Sequence, residues 1–184
     1  MLFRSPRSFI SSGGLGTMGY GFPASLGVQT GNSEATVFCI AGDGSLQMNS
    51  QELATAVQHE LPVNVAILNN SYLGMVRQWQ EIFNEKRYAS TCLKRRESCP
   101  PDCSGPDPDR TCPEMTPDFV KLAEAYGALG IRVTKAEEVK SALEKAVASS
   151  KPAIIDFVIE REENVFPMVP AGGSLDNMLV GEDN

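Results

Sequence analysis

A chain of 184 residues with 42% hydrophobic residues can bury one sizeable core, so a single domain over 1–184 is expected. Sixteen Lys and Arg against 23 Asp and Glu leave a net charge of −7, and no basic cluster offsets it, which argues against nucleic acid as a partner. Apolar runs such as 37–41 are too short to cross a membrane, the N-terminus has no apolar signal core, and five cysteines, an odd number, fit a reducing compartment; a cytoplasmic protein is expected.

In chain order the first feature is GGLGTMGYG, in which Gly14, Gly16 and Gly19 spell the G-x-G-x-x-G of a dinucleotide site. A helix beginning at Gly16, as that site needs, would carry Pro23 two turns inside, where it deletes a backbone hydrogen bond. A helix beginning near Tyr20 or Gly21 has Pro23 in its first turn, which leaves 13–19 as an open loop. The proline counts against the dinucleotide site, and a kinked helix would restore it.

Residues 35–41 and 63–69 are continuous apolar runs suited to strands buried on both faces of a parallel sheet. Between them a helix is expected, capped by Asn49 or Ser50, with Glu52 in its first turn and Leu53, Ala56 and Val57 on its apolar face. A further helix from about Gly74 places Met75, Val76, Trp79, Ile82 and Phe83 on one stripe. Another follows Thr116, with Pro117 at the first helical position and Phe119, Leu122, Ala123 and Tyr126 inward. A strand over 130–133, a helix with a Thr134/Glu137 capping box reaching about Ser149, and a strand over 153–159 complete the order. Alternating strands and helices predict an α/β fold: a doubly wound, mostly parallel sheet with helices on both faces.

Residues 94–114 contain five prolines and no apolar period, so they read as a surface loop. The spacing of Cys92, Cys99, Cys103 and Cys112 lacks the close C-x2–4-C pairs of structural zinc and favours free thiols. His59, near a helix C-terminus, is assigned no catalysis, and Cys39, in mid-strand, is a small buried hydrophobe.

The chemistry concentrates in Gly42-Asp43-Gly44-Ser45 and in Asn69-Asn70, 27 positions on from Asp43 to Asn70. Each alone is a common turn. Together, Asp43 ends one strand and Asn70 ends the next parallel strand, so both lie at the carboxyl edge where α/β sheets bind ligands. A carboxylate and an amide carbonyl are hard oxygens suited to Mg2+, whose shell phosphate oxygens and water complete. Gly42 and Gly44 admit close backbone approach, and N–H groups at a helix start after Ser45 would face the phosphates. The site reads as Mg2+ plus a diphosphate.

GDG followed after about 26 residues by NN is the thiamine-diphosphate motif. With the blocks SGGLGTMGYGFPASLG, GDGSLQMNSQELATAVQ, LNNSYLGMVRQWQEIF, RYAST, TPDFVKLAEAYG and ENVFPMVPAGGSLDNML, the chain resembles the C-terminal thiamine-diphosphate-binding domain of acetolactate synthase catalytic subunits. Residues 94–114 look like an insertion relative to that family. The resemblance implies that Asp43, the Asn70 side chain and the Tyr72 carbonyl bind Mg2+. It implies that Gly42, Gly44, Ser45, Leu73 and Gly74 contact the diphosphate, and that Gly16, Thr17 and Met18 hold the aminopyrimidine, with Met18 propping the bent cofactor. It implies that Met75, Val76 and Trp79 line the pocket at the reacting carbon, with Met75 also against the cofactor.

The implied reaction decarboxylates pyruvate and joins the two-carbon unit to a second 2-oxo acid, pyruvate or 2-oxobutyrate, in branched-chain amino-acid synthesis. The implied partners are a second copy of the chain, as a homodimer or higher homo-oligomer, and a regulatory small subunit. FAD belongs to another domain of such enzymes. The activating glutamate belongs to an N-terminal domain of the partner subunit, so this chain is expected to be an inactive C-terminal fragment. Two other readings stand beside this one: another thiamine-diphosphate enzyme of pyruvate oxidase or glyoxylate carboligase type, and a non-catalytic nucleotide-binding module.

Overall fold

The computed structural model describes residues 5–99 and 117–181. In chain order their elements are α1 Gly21–Gly31, β1 Phe38–Gly42, α2 Asp43–Gln47, α3 Leu53–Gln58, β2 Asn64–Asn69, α4 Gly74–Phe83, α5 Phe119–Tyr126, β3 Leu129–Val133, α6 Val139–Val147 and β4 Ala153–Val158. Short 3-10 turns occupy Ser50–Glu52, Ala136–Glu138 and Leu175–Asn177. Among the described residues, two compact units emerge: 5–71 with 117–159, and 72–99 with 160–181. No helix of the described residues is long and apolar enough to cross a membrane.

The first unit is a four-stranded parallel sheet in the order β1-β2-β4-β3. Successive strand residues point to opposite faces, so consecutive Ile154 and Ile155 of β4 enter different cores. On one face Phe22 and Leu26 of α1, Leu46 of α2, Leu53 and Ala56 of α3, and Phe119 and Ala123 of α5 pack with Cys39, Val65, Ile67 and Ile154. On the other, Ala142 and Ala146 of α6 pack with Val133, Ala153 and Ile155. The doubly wound α/β arrangement is therefore present. Helix α6 covers only the β3–β4 side of its face, leaving Phe38, Ile40 and Leu68 of β1 and β2 exposed.

Helix α1 begins at Gly21 with Pro23 as its third residue, where the missing N–H is one that a helix leaves unpaired in any case. The open loop before it is therefore real, and Gly16 and Gly19 adopt left-handed φ values of 63° and 85°.

Local signals misplace several boundaries. The expected single helix between the first two strands is split into α2, a 3-10 turn and α3. Neither Asn49 nor Ser50 caps a helix through its side chain; the Asn49 amide instead donates to the Gly19 carbonyl at 2.7 Å. Pro117 precedes α5 rather than opening it, because Asp118 is the cap and its carboxylate accepts the Lys121 N–H at 3.3 Å. The capping partner before α6 is Glu138, not Glu137: its carboxylate accepts the Thr134 and Lys135 N–H groups at 3.0 and 3.2 Å.

In the second unit the buried face of α4 is polar. Gln78 holds Val165 by two amide hydrogen bonds of 2.9 Å, and Arg77 pairs with Glu81 at 2.8 Å while lying over the rings of Tyr72 and Tyr88. Leu73 N–H donates to the Thr91 carbonyl, and Met168 and Leu179 exchange two backbone bonds of 2.8 Å.

Candidate cofactor and metal site

Parallel pairing of β1 with β2 sets Gly42 against Leu68, so Asp43 and Asn70, each just beyond its strand, leave the sheet at the same carboxyl edge. The crossover geometry inferred from the spacing is therefore present. Asp43 is only 3% exposed, and the nearby backbone N–H groups of Gly44 and Ser71 favour its charged form. Burial pushes the Asp43 carboxyl from 3.8 up to about 6, against the pull of those N–H groups and with a further push from Asp156. Among the described residues no Lys or Arg side chain forms an ion pair with it.

The helix start expected after Ser45 lies elsewhere. Helix α2 begins at Asp43 itself, and Ser45 is inside it. An acidic residue in the first turn suits the positive end of the helix. The Ser45 hydroxyl accepts the Gly19 N–H at 3.0 Å. This bond and the Asn49–Gly19 bond tie the loop bearing Gly16, Thr17 and Met18 to the α2 region. A Cβ on Gly19 would stand 2.6 Å from Asn49 Nδ2 and 2.8 Å from Met48 Cβ, so the approach requires glycine. Within the loop Gly16 and Thr17 donate to Ser12, and Met18 is 43% exposed. At Gly42 a Cβ would meet nothing within 4 Å, so the space beyond the end of β1 is open.

The donor chemistry fits Mg2+: a buried carboxylate with no cationic partner among the described residues, and an amide just beyond the neighbouring strand at the same edge.

Of the other expected site residues, Tyr72, Leu73, Gly74, Met75, Val76 and Trp79 belong to the second unit. Tyr72 is buried at 2% and bridges to Cys92, and Gly74 opens α4. Met75, Val76 and Trp79 are about half exposed, so they are not core of this chain. His59 is exposed at the end of α3, and burial pushes the Cys39 thiol up to about 11. Cys92 and Cys99 are free, Cys103 and Cys112 lie outside the described residues, and among the described residues no group of three His, Cys, Asp or Glu could hold a metal.

Sequence reading gave Asn69 no role of its own beside Asn70 and missed Ser71 and Asp156. Asn69 Nδ2 donates to Asp156 Oδ1 at 2.9 Å, and its Oδ1 accepts the Ser71 N–H at 3.1 Å. The signal was there: Asp156 is a charge inside an otherwise apolar strand.

Residues 1–157 match the family described as thiamine pyrophosphate enzyme, C-terminal TPP binding domain. The chain belongs to that family. Within it, the chain is 44% identical over 183 residues to the acetolactate synthase isozyme 3 large subunit of Escherichia coli, covering 98% of this chain and 28% of that one. It is 45% identical over 173 residues to the acetolactate synthase large subunit of Corynebacterium glutamicum, covering 94% and 25%. A solved thiamine diphosphate-dependent 4-hydroxybenzoylformate decarboxylase of Rhodococcus jostii RHA1 superposes with a TM-score of 0.63 at 29% identity, covering 79% of this chain and 24% of that chain. This thiamine pyrophosphate family member thus spans about a quarter of the length of the curated relatives that it matches.

Proposed function

We propose that the chain is the thiamine-diphosphate- and Mg2+-binding domain of an acetolactate synthase catalytic subunit. The observation that carries the reading is Asp43, a buried carboxylate with no cationic partner among the described residues, at the sheet edge where Asn70 also emerges. Asp43 and Asn70 supply two hard oxygens to Mg2+, Gly44 and Ser45 supply donors to the diphosphate, and open space beyond Gly42 admits it. Gly16, Thr17 and Met18 face the aminopyrimidine from a loop that Gly19 anchors. The roles given to Tyr72, Leu73, Gly74 and Met75 rest on the family resemblance. Exposure of Met75, Val76 and Trp79 supports a substrate-lining role, since a core role would bury them.

Thiamine diphosphate, when bound, supplies the electron sink for decarboxylating a 2-oxo acid. The chain's own contribution is to hold the diphosphate and its metal at the strand ends and to keep water from the Asp43 carboxylate. The substrates in this reading are pyruvate and a second 2-oxo acid, and the 40–45% identity to acetolactate synthase large subunits favours that pairing over a pyruvate oxidase or carboligase type. The 184 residues act as one binding domain with 94–114 inserted, within a longer cytoplasmic homo-oligomer that carries FAD on another domain.

A thermal-shift titration tests the reading. Thiamine diphosphate with Mg2+ should stabilise the wild-type chain, by about 2.7 kcal/mol at a hundredfold excess over Kd, whereas either alone or NAD should not. Asp43→Ala should abolish the gain while the unliganded chain stays folded. An equal gain in Asp43→Ala removes the metal assignment, and a gain with NAD supports the nucleotide-binding module instead.

A further inference from the structure

Asp156 of β4 is fully buried, yet none of the motifs assigns it a task. Its Oδ2 accepts from Arg132 Nε at 3.2 Å, and Arg132 in turn reaches Asp118 at 2.7 Å. Its Oδ1 accepts from Asn69 Nδ2 at 2.9 Å. Both Asp156 oxygens act as acceptors, which sets one orientation of the Asn69 amide, with the NH2 toward Asp156 and the carbonyl oxygen away from it. That oxygen accepts both the Ser71 N–H at 3.1 Å and the Ser71 hydroxyl at 3.3 Å. The loop so closed spans Asn70. Ser71 itself has a left-handed φ of 59°, an uncommon conformation for a serine. The Ser71 N–H also favours the charged form of the nearby Asp43 carboxylate.

We infer that Asp156, acting through the Asn69 amide, is a positioning residue that presets the Asn70–Ser71 turn for the metal. The inference rests on the proposed Mg2+ role of Asp43 and Asn70. Three buried groups, at 0%, 8% and 7% exposure for Asp156, Asn69 and Ser71, form a fixed chain from the last strand to the ligand turn. Second-layer hydrogen bonds of this kind typically change metal affinity by about 10- to 100-fold when removed.

The test measures Mn2+ dissociation constants by electron paramagnetic resonance on the full chain, with thiamine diphosphate in excess and folding checked by circular dichroism. Asn69→Ala removes the clamp and leaves Asp156 with Arg132. Asp156→Asn turns an amide NH2 toward either Arg132 or Asn69, and so disfavours the native Asn69 orientation. Each should weaken Mn2+ binding roughly 10- to 100-fold. The double variant Asn69→Asp/Asp156→Asn reverses the donor and acceptor but keeps an oxygen toward Ser71, and it should recover most of the affinity. A merely structural role would lower Tm in these variants and leave the Mn2+ constants within twofold of wild type, which overturns the inference. Failure of the double variant to recover affinity, where both single variants lose it, also overturns it. If Asp156→Asn does not fold, Asn69→Ala decides alone. Wild-type chain with no thiamine-diphosphate-dependent Mn2+ binding overturns the proposed function, and this inference with it.

Discussion

Asp43 works against the stability of the metal-free fold. Its carboxyl is raised from 3.8 to about 6 chiefly because burial disfavours the charged form, so the folded chain binds that proton more tightly than the unfolded chain does. The contribution is fully present below about pH 4 and is lost as pH rises through about 6. Above that, ionisation costs the metal-free fold up to about 3 kcal/mol. Asp43→Asn should therefore stabilise the metal-free chain at pH 8 by up to that amount and make little difference near pH 4. Urea denaturation of both proteins at the two pH values checks this. A wild type as stable as the variant at pH 8 would contradict the raised carboxyl. Gly19 shows the other single-residue constraint: the left-handed φ and the 2.6 Å approach to Asn49 leave no room for a side chain.

Among the elements, α4 inverts the usual amphipathic arrangement. Its buried residues are Arg77 and Gln78, held by Glu81 and by the Val165 backbone, while Met75, Val76, Trp79 and Phe83 are 45–51% exposed. Burying a large aromatic typically makes its loss cost about 3–5 kcal/mol, whereas exposed positions change stability by about 0.5 kcal/mol or less. Trp79→Gln should thus leave the denaturation midpoint of the chain nearly unchanged. A loss of several kcal/mol would return Trp79 to the core and remove it from the proposed substrate pocket. Helix α5 shows how a short element is fixed at both ends: Asp118 caps it and pairs with Arg132 of β3, and Gly127 at φ 84° closes it.

At the scale of the whole molecule, the relatives are about four times longer than this chain, and the chain supplies the diphosphate and metal contacts of the proposed site. In the family that it resembles, the carboxylic acid that activates the cofactor lies in a separate N-terminal domain. The 184 residues alone should therefore bind thiamine diphosphate with Mg2+ but consume pyruvate at a negligible rate. Adding the remaining domains as a second polypeptide should restore acetolactate formation. Measurement of pyruvate consumption with saturating cofactor checks this; robust turnover by the chain alone would require an activating acid among its own glutamates.

What the sequence determined by itself was whatever depends on neighbours along the chain or on the two-residue and 3.6-residue periods. The apolar runs at 35–41 and 63–69 announced buried parallel strands, Pro23 located the start of α1, and the GDG-to-NN spacing placed Asp43 and Asn70 at one sheet edge. Boundaries slipped by a few residues because caps compete locally: Asp118 rather than Pro117 opens α5, and Glu138 rather than Glu137 serves α6. Only the tertiary structure decided which polar groups meet across the sheet. Asn69 and Asp156 stand 87 positions apart and adjoin because β4 is inserted between β2 and β3, a strand order that no local signal encodes. The burial of Asp43 and the exposure of Trp79 were likewise settled by packing, since hydrophobic patterning shows which stripe is apolar but not what covers it.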